Sequence, residues 1–141
     1  ILHDFLTKVF RLIFDLLGSI LQAMKNERIL VADDQLVVRQ GIERTIEAFG
    51  EEDGHQIVGQ AESVEDVEEL LKGGLRPTVA LVDGKFPIRG DGERAAKIIE
   101  EISPETTIIA FSSDPQNYGH DQWNKHMSGS ELVKALTNLK H

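Results

Sequence analysis

Four apolar residues, Val79-Ala80-Leu81-Val82, run without interruption into Asp83, Gly84 and a loop closed by Pro87. A continuous apolar run of this kind suits a strand covered on both faces, as in a parallel sheet. An acid directly after such a strand stands at its carboxyl end, where open α/β sheets place their ligands. Two other runs are built alike. Arg28-Ile29-Leu30-Val31-Ala32 ends in Asp33-Asp34, and Thr107 to Phe111 ends in Ser112-Ser113. In a parallel sheet these ends share one edge, so their polar groups converge.

The stretches between them read as helices. Val38, Ile42, Ile46 and Phe49 share a helical face, with Gly50 as the stop. Gln56 to Ala61 reads as another strand. Ser63 is expected to cap the next helix, with Asp66 three residues on and Val64, Val67, Leu70 and Leu71 facing inward. Gly73-Gly74 end it. Asp91 is expected to cap the helix carrying Ala95, Ile98, Ile99 and Ile102, closed by Ser103-Pro104. Ser128 and Glu131 form a capping box before Leu132, Val133, Leu136 and Leu139. Strands alternating with helices at this spacing imply βαβ units with right-handed crossovers.

The first stretch differs in kind. In residues 1–24 the polar positions recur every three or four residues, which leaves one narrow polar stripe on a helix. Asp4, Lys8, Arg11 and Asp15 cancel, so the whole net charge of −9 belongs to the rest of the chain. Charges at this frequency argue against a membrane span, and a neutral polar face argues against a membrane-surface helix. No basic segment precedes the apolar run, which argues against a signal peptide. The helix is expected to pack on its own domain or on a copy of itself, with a homo-oligomer through residues 1–24 the expected outcome. Residues 25–141 form the remaining unit. An acidic chain is a poor match for nucleic acid. The absence of cysteine removes disulfide and thiolate-metal frameworks and fits a cytoplasmic setting.

Three convergent carboxylates repel one another, and a hard divalent cation relieves that repulsion. Mg²⁺ takes oxygen ligands and keeps several waters, so a partial carboxylate cage suits it. A carboxylate beside such an ion can attack a phosphoryl donor. Lys125, just after the expected last strand, is the lysine placed to balance the added charge.

These pieces, taken in order, resemble the receiver domain of bacterial two-component response regulators. The resemblance covers residues 28–140. It rests on Ile29-Leu30-Val31-Ala32-Asp33-Asp34, on Leu81-Val82-Asp83 with Pro87 and Gly90-Asp91-Gly92, on Phe111-Ser112-Ser113, and on Lys125 with Glu131-Leu132. It implies a flavodoxin-like, doubly wound sheet of five parallel strands in the order 2-1-3-4-5. It implies Asp83 as phosphoacceptor, with Asp33, Asp34, Asp83 and the backbone carbonyl of Lys85 holding Mg²⁺. Ser112 would sense the phosphoryl group and Lys125 would pair with it. The implied partners are a histidine kinase or phosphotransfer protein and a downstream protein target. With no effector segment after the last helix, a single-domain regulator is expected.

The sequence also departs from that family. Twelve residues, 113 to 124, separate Ser112 from Lys125, too few for both a helix and a strand with their loops. The fourth helix of the family is therefore expected to be lost or reduced to a turn. That loss would uncover apolar groups near Phe111 and Trp123, a groove for the N-terminal helix through Phe5, Phe10, Phe14 and Leu17. Gln122 stands where the family carries a switch aromatic, and Trp123 would face the opposite way. His126 replaces the family's proline, so no cis peptide is expected after Lys125. Lys85 stands where an aspartyl-phosphate hydrolase would carry a second acid. The alternative function is a receiver-like adaptor or oligomerisation module that works without phosphorylation.

Overall fold

The computed structural model describes residues 1–50 and 52–141, without the side chains of residues 22–25. The chain runs α1 (Leu2–Lys25), β1 (Arg28–Ala32), α2 (Leu36–Thr45), a π-turn (Ile46–Gly50), β2 (Gln56–Ala61), α3 (Val64–Lys72), β3 (Val79–Val82), α4 (Asp91–Ile102), β4 (Thr107–Ser112), β5 (Asp121–Asn124) and α5 (Gly129–Thr137). The five strands pair in parallel in the order β2-β1-β3-β4-β5. This is the doubly wound arrangement expected from the sequence.

Side chains of a strand alternate between faces, and the sheet therefore feeds two cores. Leu30, Ala32, Ala80, Val82, Ile108 and Ala110 point to one face, where Val67 and Leu71 of α3 and Ala95 and Ile99 of α4 close over them. Ile29, Val31, Leu81, Ile109 and Phe111 point to the other, under Ile42 of α2 and Leu132 and Leu136 of α5. The first face is built of small residues at the strand ends, so its helices approach closely. Gly92 in the first turn of α4 shows how closely. A Cβ there would sit 2.5 Å from both the Asp83 carbonyl oxygen and the Tyr118 hydroxyl.

Capping follows the sequence at Ser63 and Ser128, whose hydroxyls accept from Asp66 N at 3.1 Å and Glu131 N at 3.2 Å. It does not at Asp91. Gly90, at φ 97°, is the N-cap of α4, and Asp91 is its first residue. The buried Asp91 carboxylate instead accepts from Ile88 N at 3.0 Å and pairs with Arg94 at 2.8 Å, tying the β3–α4 loop to the helix. Phe49 also departs from expectation. The π-turn after α2 rotates the helical face, and Phe49 ends up exposed while Ile46 remains buried.

No helix forms between β4 and β5, as the residue count requires. The consequence differs from the expected groove. Phe111 and Trp123 belong to the opposite face and pack with α5. The face that lost its helix is closed by Tyr118, whose ring joins the α3–α4 core and whose hydroxyl donates to the Val82 carbonyl at 2.7 Å. The N-terminal helix covers neither face. Phe5, Phe10, Phe14 and Leu17 remain 50–73% exposed. Only Asn26 and Glu27 join α1 to β1, at the sheet edge opposite the aspartates.

At that opposite edge a polar network replaces apolar packing. Glu27 N donates to His55 Nδ1 at 3.0 Å, so the His55 proton resides on Nε2, 3.0 Å from Thr137 Oγ1. Burial holds the His55 pKa below its ordinary value, against the opposing charges of Asp53 and Glu27. Below a pH of about 6.5 the unfolded chain binds a proton that the folded chain resists, so this group removes stability as the pH falls through that window. The urea midpoint is expected to fall between about pH 7.5 and about pH 5.5. His55→Gln is expected to flatten that fall, and a variant with the wild-type slope would assign it to other groups.

Candidate functional site at the carboxyl edge of the sheet

The strand ladder runs one residue past β1 and β3, and that extension positions the acids. Asp33 N donates to the Ala61 carbonyl at 2.9 Å, and Asp83 N to the Ala32 carbonyl at 3.0 Å. Lys125 N donates to the Ser112 carbonyl at 3.2 Å. Backbone hydrogen bonds thus hold Asp33, Asp83 and Lys125 on one rim.

Their side chains meet there. Lys125 Nζ lies 2.7 Å from Asp33 Oδ2 and 3.0 Å from Asp83 Oδ2. Carboxylate oxygens of Asp33, Asp34 and Asp83 all lie within 4.8 Å of one another. Asp33 and Asp83 are buried and Asp34 is exposed. Asp33 Oδ1 accepts from Gln35 N at 2.8 Å. Its buried Oδ2 has Lys125 as its one polar partner among the described residues.

Burial pushes the Asp33 carboxyl above its ordinary pKa and the charge of Asp83 adds to this, while Lys125 and the Gln35 N–H pull it back. Burial would also discharge Lys125, but the hydrogen bonds and charges of Asp33 and Asp83 together outweigh it, so the ammonium is held above its ordinary value. Three carboxylates against one ammonium leave two formal negative charges on the rim. A buried, poorly satisfied carboxylate oxygen and that residual charge fit an oxygen-seeking divalent cation.

Ser112 closes one side. Its hydroxyl accepts from Gln116 Nε2 at 3.3 Å and from Asp114 N at 3.4 Å. Two donors on its lone pairs leave the hydroxyl proton as the group it can offer to an anion. Lys85 is exposed in the loop after Asp83, and its backbone forms a bridge with Arg89. The peptide after Lys125 is trans, as expected with His126 in place of proline.

Three residues of this rim were not singled out from the sequence. Arg39 is buried on the inner side of α2 and donates from Nη1 to the Asp33 carbonyl at 2.7 Å, with Nε on Gln60 Oε1 at 3.3 Å. Its signal was a charged residue between Val38 and Ile42 on an inward helical face. Gln116 lies so close over Gly84 that a Cβ there would sit 2.5 Å from its amide. Gln116 N donates to Gln122 Oε1 at 3.0 Å, and Gln122 Nε2 donates back to the Gln116 carbonyl. Gln122 is thereby tied to the site through amides. Tyr118 is the third. Burial, with the charge of Asp83, pushes its phenol far above the ordinary value, so it remains a neutral donor.

No protein-family model and no curated protein sequence matches this chain. Solved structures do. The signal receiver domain of NarL from Mycobacterium tuberculosis is 27% identical over 79% of this chain and 93% of its own, with a TM-score of 0.64. The receiver domain of AraT, a response regulator from Geobacillus stearothermophilus, is 27% identical over 79% and 92%, with a TM-score of 0.62. A CheY-like receiver domain protein from Methanospirillum hungatei is 21% identical over 80% and 92%, with a TM-score of 0.64. This chain has the receiver-domain fold of response regulators. Within that receiver fold the segment between β4 and β5 is an irregular loop, and Tyr118 covers the sheet there. Among the described residues no helix is long and apolar enough to cross a membrane.

Proposed function

We propose that this protein is a phosphoacceptor response regulator of a two-component system, with Asp83 as the nucleophile. The observation that carries the reading is the placement of Lys125 Nζ between Asp33 and Asp83, at 2.7 and 3.0 Å, beside a third carboxylate. In the reaction an Asp83 carboxylate oxygen attacks phosphorus, and the P–N bond of a phosphohistidine breaks. The imidazole leaves with its electron pair, and an acyl phosphate forms. Water later cleaves the acyl phosphate and returns the carboxylate. Lys125 balances the added charge, and the Ser112 hydroxyl donates to a phosphoryl oxygen. Asp33, Asp34, Asp83 and the Lys85 carbonyl would hold Mg²⁺, which supplies charge neutralisation at the phosphoryl oxygens when bound.

The phosphodonor is a histidine kinase or phosphotransfer protein. A groove of ≈ 450 Å³ opens beside Lys125, lined by Val37, Val38, Ile42, Phe111, Met127 and Leu132 among others. Leu36 and Val37 at the start of α2 and Ile88 in the β3–α4 loop are 56–73% exposed. Exposed Leu36, Val37 and Ile88 beside a groove of mixed polar and apolar lining suit a protein donor rather than a free small metabolite. The output is contact with a protein target, and self-association through the N-terminal helix is part of the proposal. RcsB from Salmonella enterica, a structural neighbour at 21% identity, was solved on promoter DNA. The net charge of −9 points this chain toward protein partners instead.

The test is the intact mass after incubation with a small acyl-phosphate donor and Mg²⁺. One added phosphoryl group, lost on alkaline treatment, is expected. An unchanged mass under conditions where Mg²⁺ demonstrably binds would favour the phosphorylation-independent adaptor. A companion measurement concerns Asp34. Asp34→Ala is expected to weaken Mg²⁺ binding at least tenfold, about 1.4 kcal/mol. Asp34 is exposed and its loss relieves repulsion, so thermal stability without metal should stay level or rise. A titration matching wild type would remove Asp34 from the ligand set.

A further inference from the structure

We infer that the N-terminal helix assembles with copies of itself into a bundle of at least three chains. This deepens the self-association named above and does not depend on the chemistry at Asp83. The helix has 24 residues, Leu2–Lys25, about 36 Å at 1.5 Å per residue. Twelve large apolar side chains in residues 1–21 are 45–109% exposed, while the remainder of the chain is a closed receiver fold. Together they present on the order of 1,000 Å² of apolar surface. A stable interface takes roughly 800 Å² from each partner, and a monomer rarely exposes a patch above roughly 600 Å².

Three observations choose a second copy as the occupant. The first is a repeat. Ile1, Phe5 and Val9 recur eleven residues on as Leu12, Leu16 and Ile20, and a second apolar column runs one residue along. An eleven-residue period, about 3.67 residues per turn, keeps an apolar column in line over a straight or slightly right-handed bundle of helices. The second is the width of the face. At about 100° per residue the apolar positions span roughly 220° of the helix. One neighbouring helix covers only a narrow seam, so a dimer leaves Phe10 and Phe14 on one flank in water. Covering both flanks takes two neighbours per helix, hence three chains or more. The third is charge. Asp4 and Lys8, and Arg11 and Asp15, stand four apart on a stripe with no net charge, ahead of a unit of charge −9. An anionic lipid surface gains nothing from that stripe and is repelled by the domain behind it.

Sedimentation equilibrium of the full chain, without phosphodonor, is expected to give at least three times the 15.7 kDa chain mass. Ile13 lies near the centre of the apolar arc, and Ile13→Glu is expected to return the monomer while the receiver fold keeps its denaturation midpoint. In flotation with phosphatidylcholine vesicles the wild type is expected to stay in the dense fraction. A wild-type mass of one or two chains overturns the inference, as does an unchanged mass for Ile13→Glu. Flotation with the vesicles would assign the face to lipid and overturn it equally.

Discussion

Asp83→Asn is expected to take up no phosphoryl group under conditions where the wild type gains one, a loss of at least a hundredfold in incorporation. Replacing a carboxylate oxygen with an amide removes the nucleophile, and the amide cannot carry the negative charge that Lys125 meets at 3.0 Å. The substitution is close to isosteric, and Asp83 N keeps its bond to the Ala32 carbonyl, so the variant should fold. Intact-mass spectrometry reads incorporation, and circular dichroism reads the fold. Equal incorporation by Asp83→Asn and wild type would move the acceptor elsewhere. Lys125→Ala offers a graded companion. It leaves Asp33 Oδ2 buried with no counter-charge, and it should slow incorporation without abolishing it.

The second large effect is one of stability. Tyr118→Ala is expected to cost about 3–5 kcal/mol, the usual range for removing a buried aromatic ring. The reason lies in the missing helix. In a doubly wound sheet each face must be covered, and between β4 and β5 the chain supplies eight residues, 113–120, and no helix. The Tyr118 ring replaces that cover over Val82, Ile108 and Ala110. Its hydroxyl adds a bond to the Val82 carbonyl, one residue before Asp83. Tyr118→Phe should therefore cost only about 1 kcal/mol, the usual net worth of a hydrogen bond. Urea denaturation of both variants separates ring from hydroxyl. A Tyr118→Ala protein within about 1 kcal/mol of wild type would show that the face is closed in some other way.

Much of the rim was legible because its signals are local. A strand buried on both faces must be apolar throughout, so the residue that breaks the run marks the edge. Asp33, Asp83 and Ser112 were found in that way, and the parallel order then placed them together. Lys125 followed from its place just after the expected last strand. Gln35 and Arg39 act through a backbone N–H and a long side chain on a backbone carbonyl, and neither contact leaves a periodic trace. Gln116 and Gln122 stand six positions apart, one in the irregular loop and the other in β5, where no repeat exists to be read.

The sequence by itself determined the alternation of strands and helices, the polar ends of three strands, and the loss of one helix. Each of these depends on spacing along the chain. Tertiary structure decided what fills the place of that helix, and it did so against the expectation of an N-terminal helix seated near Phe111 and Trp123. Those two side chains pack with α5, while Tyr118 closes the other face and α1 stands clear. A period of two shows that neighbouring strand residues face opposite ways. Which way each one faces depends on the crossover and on the element that arrives from a distant part of the chain. That is settled by which contacts can be reached and packed without voids.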